Sequence, residues 1–489
     1  MLFNSIDFIS FLLIVFAAYW GLNLWTTRSS ALRLQNFLLI VSSYVFYGWW
    51  DWRFLTLIFA STLVDFLIGI QIGNANNSEL PIEAPKNARS SRGKRWLLLS
   101  LAVNLGMLCY FKYANFFIEG WIDVWSGLGV EVHLSTLQIM LPVGISFYTF
   151  QTLSYSIDVY RRKIEPTRDL IAFGAFVSFF PQLVAGPIER ASSLLPQISN
   201  RRQFEHKLAS SGMKLILWGM FKKVVVADTC AIFVNDIFAG HSEYSSVTLL
   251  LGAVFFAFQI YGDFSGYSDI AIGVARLLGI KLMTNFKTPY FSRNIAEFWR
   301  RWHISLSTWF RDYIYIPLGG SRVGKWKGIR NTFVIFMLSG LWHGANWTFL
   351  VWGFIHAWLF LPLLLLDQNR KHLSDISGWP TIQEVTGMAF TFWTVTIAWV
   401  FFRAESVVQA VDYLTRIATL SNGIAPTSRM VASIGVIFIT IVVDWVVSSY
   451  PVWLNAQRPI VKRSAYAMAA IGILLCWGDA STEFIYFQF

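Results

Sequence analysis

Apolar runs of about twenty residues recur along the whole chain, and each is long enough as a helix to cross a hydrocarbon core of ~30 Å. Lipid offers no hydrogen-bond partners, so a backbone that crosses it must satisfy its own amides, which a helix does within one segment. Such runs lie near 4–22, 33–50, 54–72, 96–117, 137–159, 169–186, 211–234, 246–276, 330–343, 346–366, 383–402, 429–450 and 464–478. With 55% hydrophobic and 14% charged residues, the chain has too little polar surface to clothe a water-soluble core. Its 23 tryptophans suit a protein with two membrane–water interfaces to line. The reading is an all-α polytopic membrane protein, one domain over 1–489 with 11 to 13 hydrophobic segments, in contact with membrane lipids.

The net charge of +11 sits in short loops between the runs, as expected where Lys and Arg mark the cytoplasmic side. That use of charge argues against nucleic acid as a partner. Lys86, Arg89, Arg92, Lys94 and Arg95 mark one cytoplasmic loop, and Arg161, Arg162, Lys163 and Arg168 another. Two runs between them return the chain to the same side through a loop with Glu119, Asp123 and Glu131. Arg322, Lys325, Lys327 and Arg330 form a further basic loop, followed by Lys371 and by Arg458, Lys462 and Arg463. Counted through, both termini lie outside, with Asp479 and Glu483 in the final tail. The first run lacks a basic leader or small-residue cleavage site and reads as a retained span. Cys109, Cys230 and Cys476 are scattered and give no disulfide framework.

Two stretches concentrate chemistry. In 297–320, Trp299, Trp302, His303, Leu306, Phe310 and Tyr313 recur at helical spacing, while Arg300, Arg301, Ser307, Thr308 and Arg311 take the other side. Such a helix, with Asp312 near its end, lies along the interface or dips inward as a re-entrant segment. His303 on the apolar stripe is either a packed core histidine or a functional group. In 331–347 a helix from Asn331 to His343 rises ~20 Å, which stops short of a full crossing. Trp342 and His343 then end inside the protein, and Gly344 and Asn346 make the turn into the next span. An ionisable group at membrane depth is a functional candidate, with a helix–helix hydrogen bond as the alternative. Histidine accepts a proton near neutral pH. His356 reads as packing, and His133, His206, His241 and His372 as loop residues.

Within 259–273, Asp263 and Asp269 interrupt an apolar span, and Gly262 and Gly266 are spaced for close helix contact. The carboxylates read as structural, paired with arginines such as Arg276 or Arg293, or else as liners of a polar path. Tyr486 lies in the aromatic ending FIYFQF, as an interfacial anchor or as a reactive phenol. Absence of GxSxG, HExxH, Walker and GxGxxG patterns argues against a serine hydrolase, a zincin and a nucleotide-driven pump, and no metal site is expected.

FWRRWHISLSTWFRDYIYIPLGGSR followed by LSGLWHGANWTFLVWG resembles the membrane-bound O-acyltransferase superfamily, and most closely its bacterial alginate O-acetyltransferase branch. VSSYVFYGWWDWRF, LPVGISFYTFQTLSYSIDVYR, FFPQLVAGPIER and YGDFSGYSDIAIG extend the likeness over most of the chain. The resemblance implies a ring of tilted transmembrane helices with re-entrant or interfacial helices around a central tunnel. It implies His343 and His303 as catalytic residues, Tyr486 as an acyl relay, and acetyl-CoA as a cytoplasmic donor. Trp299, Trp302, Asp312, Tyr313, Trp342, Asn346, Asp263 and Asp269 would support the tunnel. It also implies a bacterial inner-membrane location, an SGNH-type acetyltransferase partner in the periplasm, and an exported polysaccharide such as alginate as acceptor. D-alanyl transfer to another envelope polymer is the alternative within the family. A transporter or flippase of an acyl carrier or glycan is the alternative outside it, and would carry an inverted repeat that the sequence lacks.

Overall fold

The computed structural model describes residues 1–25, 28–79, 88–131, 135–321, 324–376, 378–450, 453, 456–478 and 484–485. Lys86, His133, Arg322, Asp479, Glu483 and Tyr486 lie outside the described residues. Among those described, the chain is helical, with one isolated bridge between Tyr244 and Ile424 and no strand. Eight helical stretches among them are long and apolar enough to cross a membrane. One of these, Ser30–Glu79, is 50 residues long, so it holds more than a single crossing at ~20 residues each. It turns at Trp52–Phe54, where the Asp51 carboxylate accepts the Arg53 backbone N–H at 2.9 Å.

The chain divides into two compact units, Met1–Lys214 with Ala271–Met283, and Leu215–Ile270 with Thr284–Phe489. In the first, Leu55–Glu79 packs on Ser91–Leu108 and Ile145–Tyr160. Asp65 is fully buried among them and accepts hydrogen bonds from Ser100 (2.6 Å), Asn104 (2.7 Å) and Ser156 (3.1 Å). Those donors replace the water that a carboxylate at this depth has lost.

Two expected spans take a different form here. The run at 137–159 becomes helical only at Ile145, because Pro142 and Gly144 precede it and Gly144 adopts φ +74°. A Cβ at Gly144 would stand 2.8 Å from the Leu183 carbonyl oxygen. The run at 169–186 gives only the helix Leu170–Ser178. It breaks at Phe179 (φ −51°, ψ 102°), two residues before Pro181, and resumes as the single turn Phe180–Leu183. Hydropathy registers the apolar character of these residues but not the break.

In the second unit a helix from His206 continues from Leu215 through a π-helical segment, Phe221–Ala227, into Asp228–Ala239. Lys325–His343 and Trp347–Leu365 form a helical hairpin. The first of these begins six residues before Asn331 and reaches about 28 Å, longer than the sequence suggested. The hairpin closes tightly: a Cβ on Gly340 would lie 2.3 Å from the Phe349 oxygen, and one on Gly353 2.4 Å from the Phe336 oxygen. Lipid tails are as apolar as these side chains, so close contact and dispersion hold the helices together.

Candidate active site

The stretch expected as one helix from residue 297 is two. Ile295–Arg301 stops and Ile304–Phe310 starts, with Trp302 and His303 between them. His303 adopts the left-handed conformation (φ 43°, ψ 53°), which costs a side-chain-bearing residue about 1–2 kcal/mol. A neighbouring segment satisfies the backbone groups freed at the break. Lys287 N–H donates to the Arg301 carbonyl (2.9 Å), and Ile304 N–H donates to the Asn285 carbonyl (2.9 Å). Apolar residues happen to keep helical spacing across the break, so periodicity could not reveal it.

Asn285 does more than cap. Its side-chain oxygen accepts the Ser305 backbone N–H (3.2 Å) and hydroxyl (2.9 Å), and stands 3.1 Å from His303 Nδ1. The backbone N–H can only donate, so the amide atom facing it is oxygen and Nδ1 of the imidazole carries the proton. The amide nitrogen donates to Ser268 Oγ at 3.1 Å, in agreement. Nε2 of His303 is then the basic lone pair, fully buried and without a hydrogen-bond partner among the described residues. Sequence reading missed Asn285, since a lone loop asparagine 18 positions from its partner leaves no local signal.

His343 ends its helix and is 3% exposed; Gly344 follows in extended conformation. Its ring packs edge-on against Trp342 (5.0 Å), Trp352 (5.1 Å) and Phe402 (5.2 Å), centroid to centroid. The two imidazoles lie 6.4 Å apart, and Trp342 touches both, being 5.7 Å from His303. Two histidines 40 positions apart thus share one buried aromatic compartment.

The supporting candidates divide. Trp302 closes one wall against Phe286 (5.0 Å) and Trp399 (5.0 Å). Trp299 packs on His356 (5.0 Å) and Trp352 (5.7 Å), and His356 is itself fully buried among aromatic rings. Asn346 is a cap: its oxygen accepts Thr348 N–H (3.0 Å) and its nitrogen donates to the Glu405 carbonyl (3.1 Å). Asp312 pairs with adjacent Arg311 at 2.7 Å, and Tyr313 packs against Trp309 at 5.0 Å, centroid to centroid.

Asp263 and Asp269 do not meet Arg276 or Arg293 as expected. Asp269 pairs with Lys222 (2.6 Å) and Asp263 with Lys223 (2.9 Å). Gly262 and Gly266 bring the helices close enough for this: a Cβ at Gly262 would lie 2.8 Å from the Lys222 oxygen, and one at Gly266 2.7 Å from the Gly219 oxygen. Arg276 bonds Ser211 (3.2 Å), while Arg293 pairs with Glu297 (2.9 Å) and Glu384 (2.8 Å). Beside that pair, Arg301 reaches Glu297 (2.9 Å) and Asp375 (3.1 Å). A hydrogen bond from Lys287 (2.7 Å) holds the Asp375 carboxyl below its ordinary range. Arg300 donates to the carbonyls of Asn369 (2.9 Å), Lys371 (2.9 Å) and His372 (3.2 Å). This basic region ties the entry of the broken helix to the loop after Trp347–Leu365. Among the described residues, no group of three or more His, Cys, Asp or Glu side chains is arranged to hold a metal.

Comparison with known proteins matches what the geometry suggests. The family described as the membrane-bound O-acyltransferase family matches residues 95–404, which include both histidines. A probable alginate O-acetylase AlgI of Pseudomonas putida is 42% identical over 409 residues, covering 83% of this chain and 78% of the relative. A peptidoglycan O-acetyltransferase of Helicobacter pylori is 30% identical over 100% of this chain and 98% of its own length. A teichoic acid D-alanyltransferase of Bacillus subtilis is 30% identical over 50% of this chain and 64% of the relative. With two buried histidines in one aromatic compartment and relatives of this kind, the chain belongs to the membrane-bound O-acyltransferase family and is a multi-pass membrane O-acyltransferase.

Proposed function

We propose that this protein takes an acetyl group from acetyl-CoA on the cytoplasmic side of a bacterial inner membrane and delivers it outward for O-acetylation of an exported polysaccharide such as alginate. The observation that carries the reading is the pair of imidazoles 6.4 Å apart in a buried aromatic compartment, one with its tautomer set by Asn285. His343 takes the proton of the acceptor hydroxyl as that oxygen attacks the thioester carbonyl, and the thiol leaves with a proton returned to it. His303 assists from beside His343, its ring 6.4 Å away in the same compartment. A neutral imidazole is the form that accepts the proton.

Tyr486 is the proposed outward relay of the acyl group, and an SGNH-type periplasmic acetyltransferase its recipient. A passage through the helices lets the acetyl group cross without the bulky, charged donor. The name of the Pseudomonas putida relative supports alginate as acceptor, while that of the Helicobacter pylori relative, matched over the full chain, supports peptidoglycan as a second reading. The Bacillus subtilis relative keeps D-alanyl transfer as the family alternative. The test is thioester consumption by purified His343→Ala protein that retains the wild-type melting profile. Loss of turnover is expected, and wild-type turnover overturns the proposal.

A further inference from the structure

Phe484 and Ile485 are each 1% exposed, although they belong to the last few residues of the chain. The Ile485 backbone N–H donates to Oδ2 of Asp263 at 2.7 Å. The Phe484 ring lies 4.7 Å from Tyr267 and 6.1 Å from Phe264, and Phe264 in turn meets the His303 ring edge-on at 4.6 Å. The tail is therefore one aromatic ring away from a proposed catalytic histidine.

The acceptor is built for this task. A buried backbone N–H outside regular structure needs a partner, and an ionised carboxylate is a stronger one than a carbonyl. Lys223 Nζ lies 2.9 Å from Asp263 Oδ1 and 2.8 Å from Asp228, so the Asp263 charge is balanced on its other oxygen. Lys222 and Lys223 are adjacent yet both buried, 3% and 7% exposed. Both lysines lie in the π-helical segment Phe221–Ala227.

We propose that Asp263 is a positioning residue that latches the C-terminal segment beside His303, through its hydrogen bond to Ile485 and the Phe484–Phe264 contact. This rests on the acyl-transfer reading for its functional consequence, but the latch itself is a separate physical claim. The competing role is simpler: Asp263 would serve only as a counter-ion for Lys223. Asparagine separates the two, because its oxygen still accepts the N–H while its charge is gone.

The experiment is carboxypeptidase digestion of the full-length purified protein, following loss of Ile485 by intact mass. Asp263→Ala should release Ile485 at least ~10-fold faster than wild type, and Asp263→Asn should restore protection to within about threefold. A second arm measures kcat for thioester consumption. Ile485→Pro, which removes the donor and leaves the ion pair intact, should lower kcat as deletion of residues 484–489 does. Adding Asp263→Ala to that deletion should cost nothing further, as for groups acting through one element. The latch is overturned if Asp263→Asn frees the tail as fast as Asp263→Ala, or if the losses from Asp263→Ala and the deletion multiply. Should wild-type protein consume no thioester, the acyl-transfer reading fails while the digestion arm still decides the latch.

Discussion

Asn285 fixes the tautomer of His303 across 18 residues of chain, with its side-chain oxygen 3.1 Å from Nδ1 and held in place by the backbone N–H of Ser305. The same asparagine supplies the carbonyl that caps Ile304, so one residue both satisfies the broken helix and orients the His303 imidazole. Backbone strain at His303 is therefore coupled to the direction in which its lone pair points.

Replacing Asn285 by leucine removes that orientation. Loss of a buried hydrogen bond costs about 1–3 kcal/mol, so if His303 assists catalysis as proposed, activity should fall by roughly 5- to 100-fold. Asn285→Asp should act differently. A carboxylate facing Nδ1 favours the imidazolium form, so the assisting His303 is protonated up to a higher pH and, because the proposal needs it neutral, the acid limb of the kcat profile moves upward in pH. A profile unmoved by Asn285→Asp would separate Asn285 from the titration of His303.

The left-handed backbone at His303 gives a stability prediction independent of catalysis. His303→Gly and His303→Ala both lose the imidazole, but only glycine accepts φ 43° without strain. Melting in detergent should find the glycine variant more stable than the alanine variant by about 1 kcal/mol. Equal stability would mean that the turn relaxes when the ring is removed.

Close approach in the hairpin should be equally sharp. Gly353→Ala sets a methyl 2.4 Å from the Phe336 oxygen, two turns along from the His343 end, and should lower the melting temperature and the rate together. An overpacked contact of this kind costs about 1–3 kcal/mol. Gly435→Ala, with nothing within 4 Å of the added carbon, is the control and should gain about 0.5–1 kcal/mol of helix stability.

Ion-pair breakage gives a fourth test. Lys222→Met should destabilise the protein by about 3–5 kcal/mol, because the Asp269 carboxylate loses its partner at 2.6 Å. Adding Asp269→Asn should recover part of that loss. Simple addition of the two effects in a double-mutant cycle would show that the pair does not act as one.

The membrane class and most helices were legible because length and hydropathy alone decide them, as at Ser246–Leu277 and Ser428–Ser449. Short helices and breaks were not. Leu170–Ser178 ends at a backbone turn inside an apolar run, and Trp302–His303 turns where periodicity continues unbroken. Both depend on hydrogen bonds or packing with distant segments, which no local window contains. The histidines stood out because ionisable groups are rare among tryptophans at such depth. Asn285 and the partners of Asp263 and Asp269 did not, since Lys222 and Lys223 read as ordinary basic residues until the fold buries both against those carboxylates.

Trapping the donor in place tests the central claim most directly. A structure of the wild-type protein with a non-hydrolysable acetyl-CoA analogue, its thioester sulfur replaced by methylene, should show the analogue's carbonyl group in the compartment shared by His343 and His303. Its carbon should lie close enough for a hydroxyl hydrogen-bonded to either imidazole to reach ~3–3.5 Å, the distance of a near-attack arrangement. An analogue bound with its carbonyl outside that compartment, with both imidazoles still packed away from it, would contradict the account.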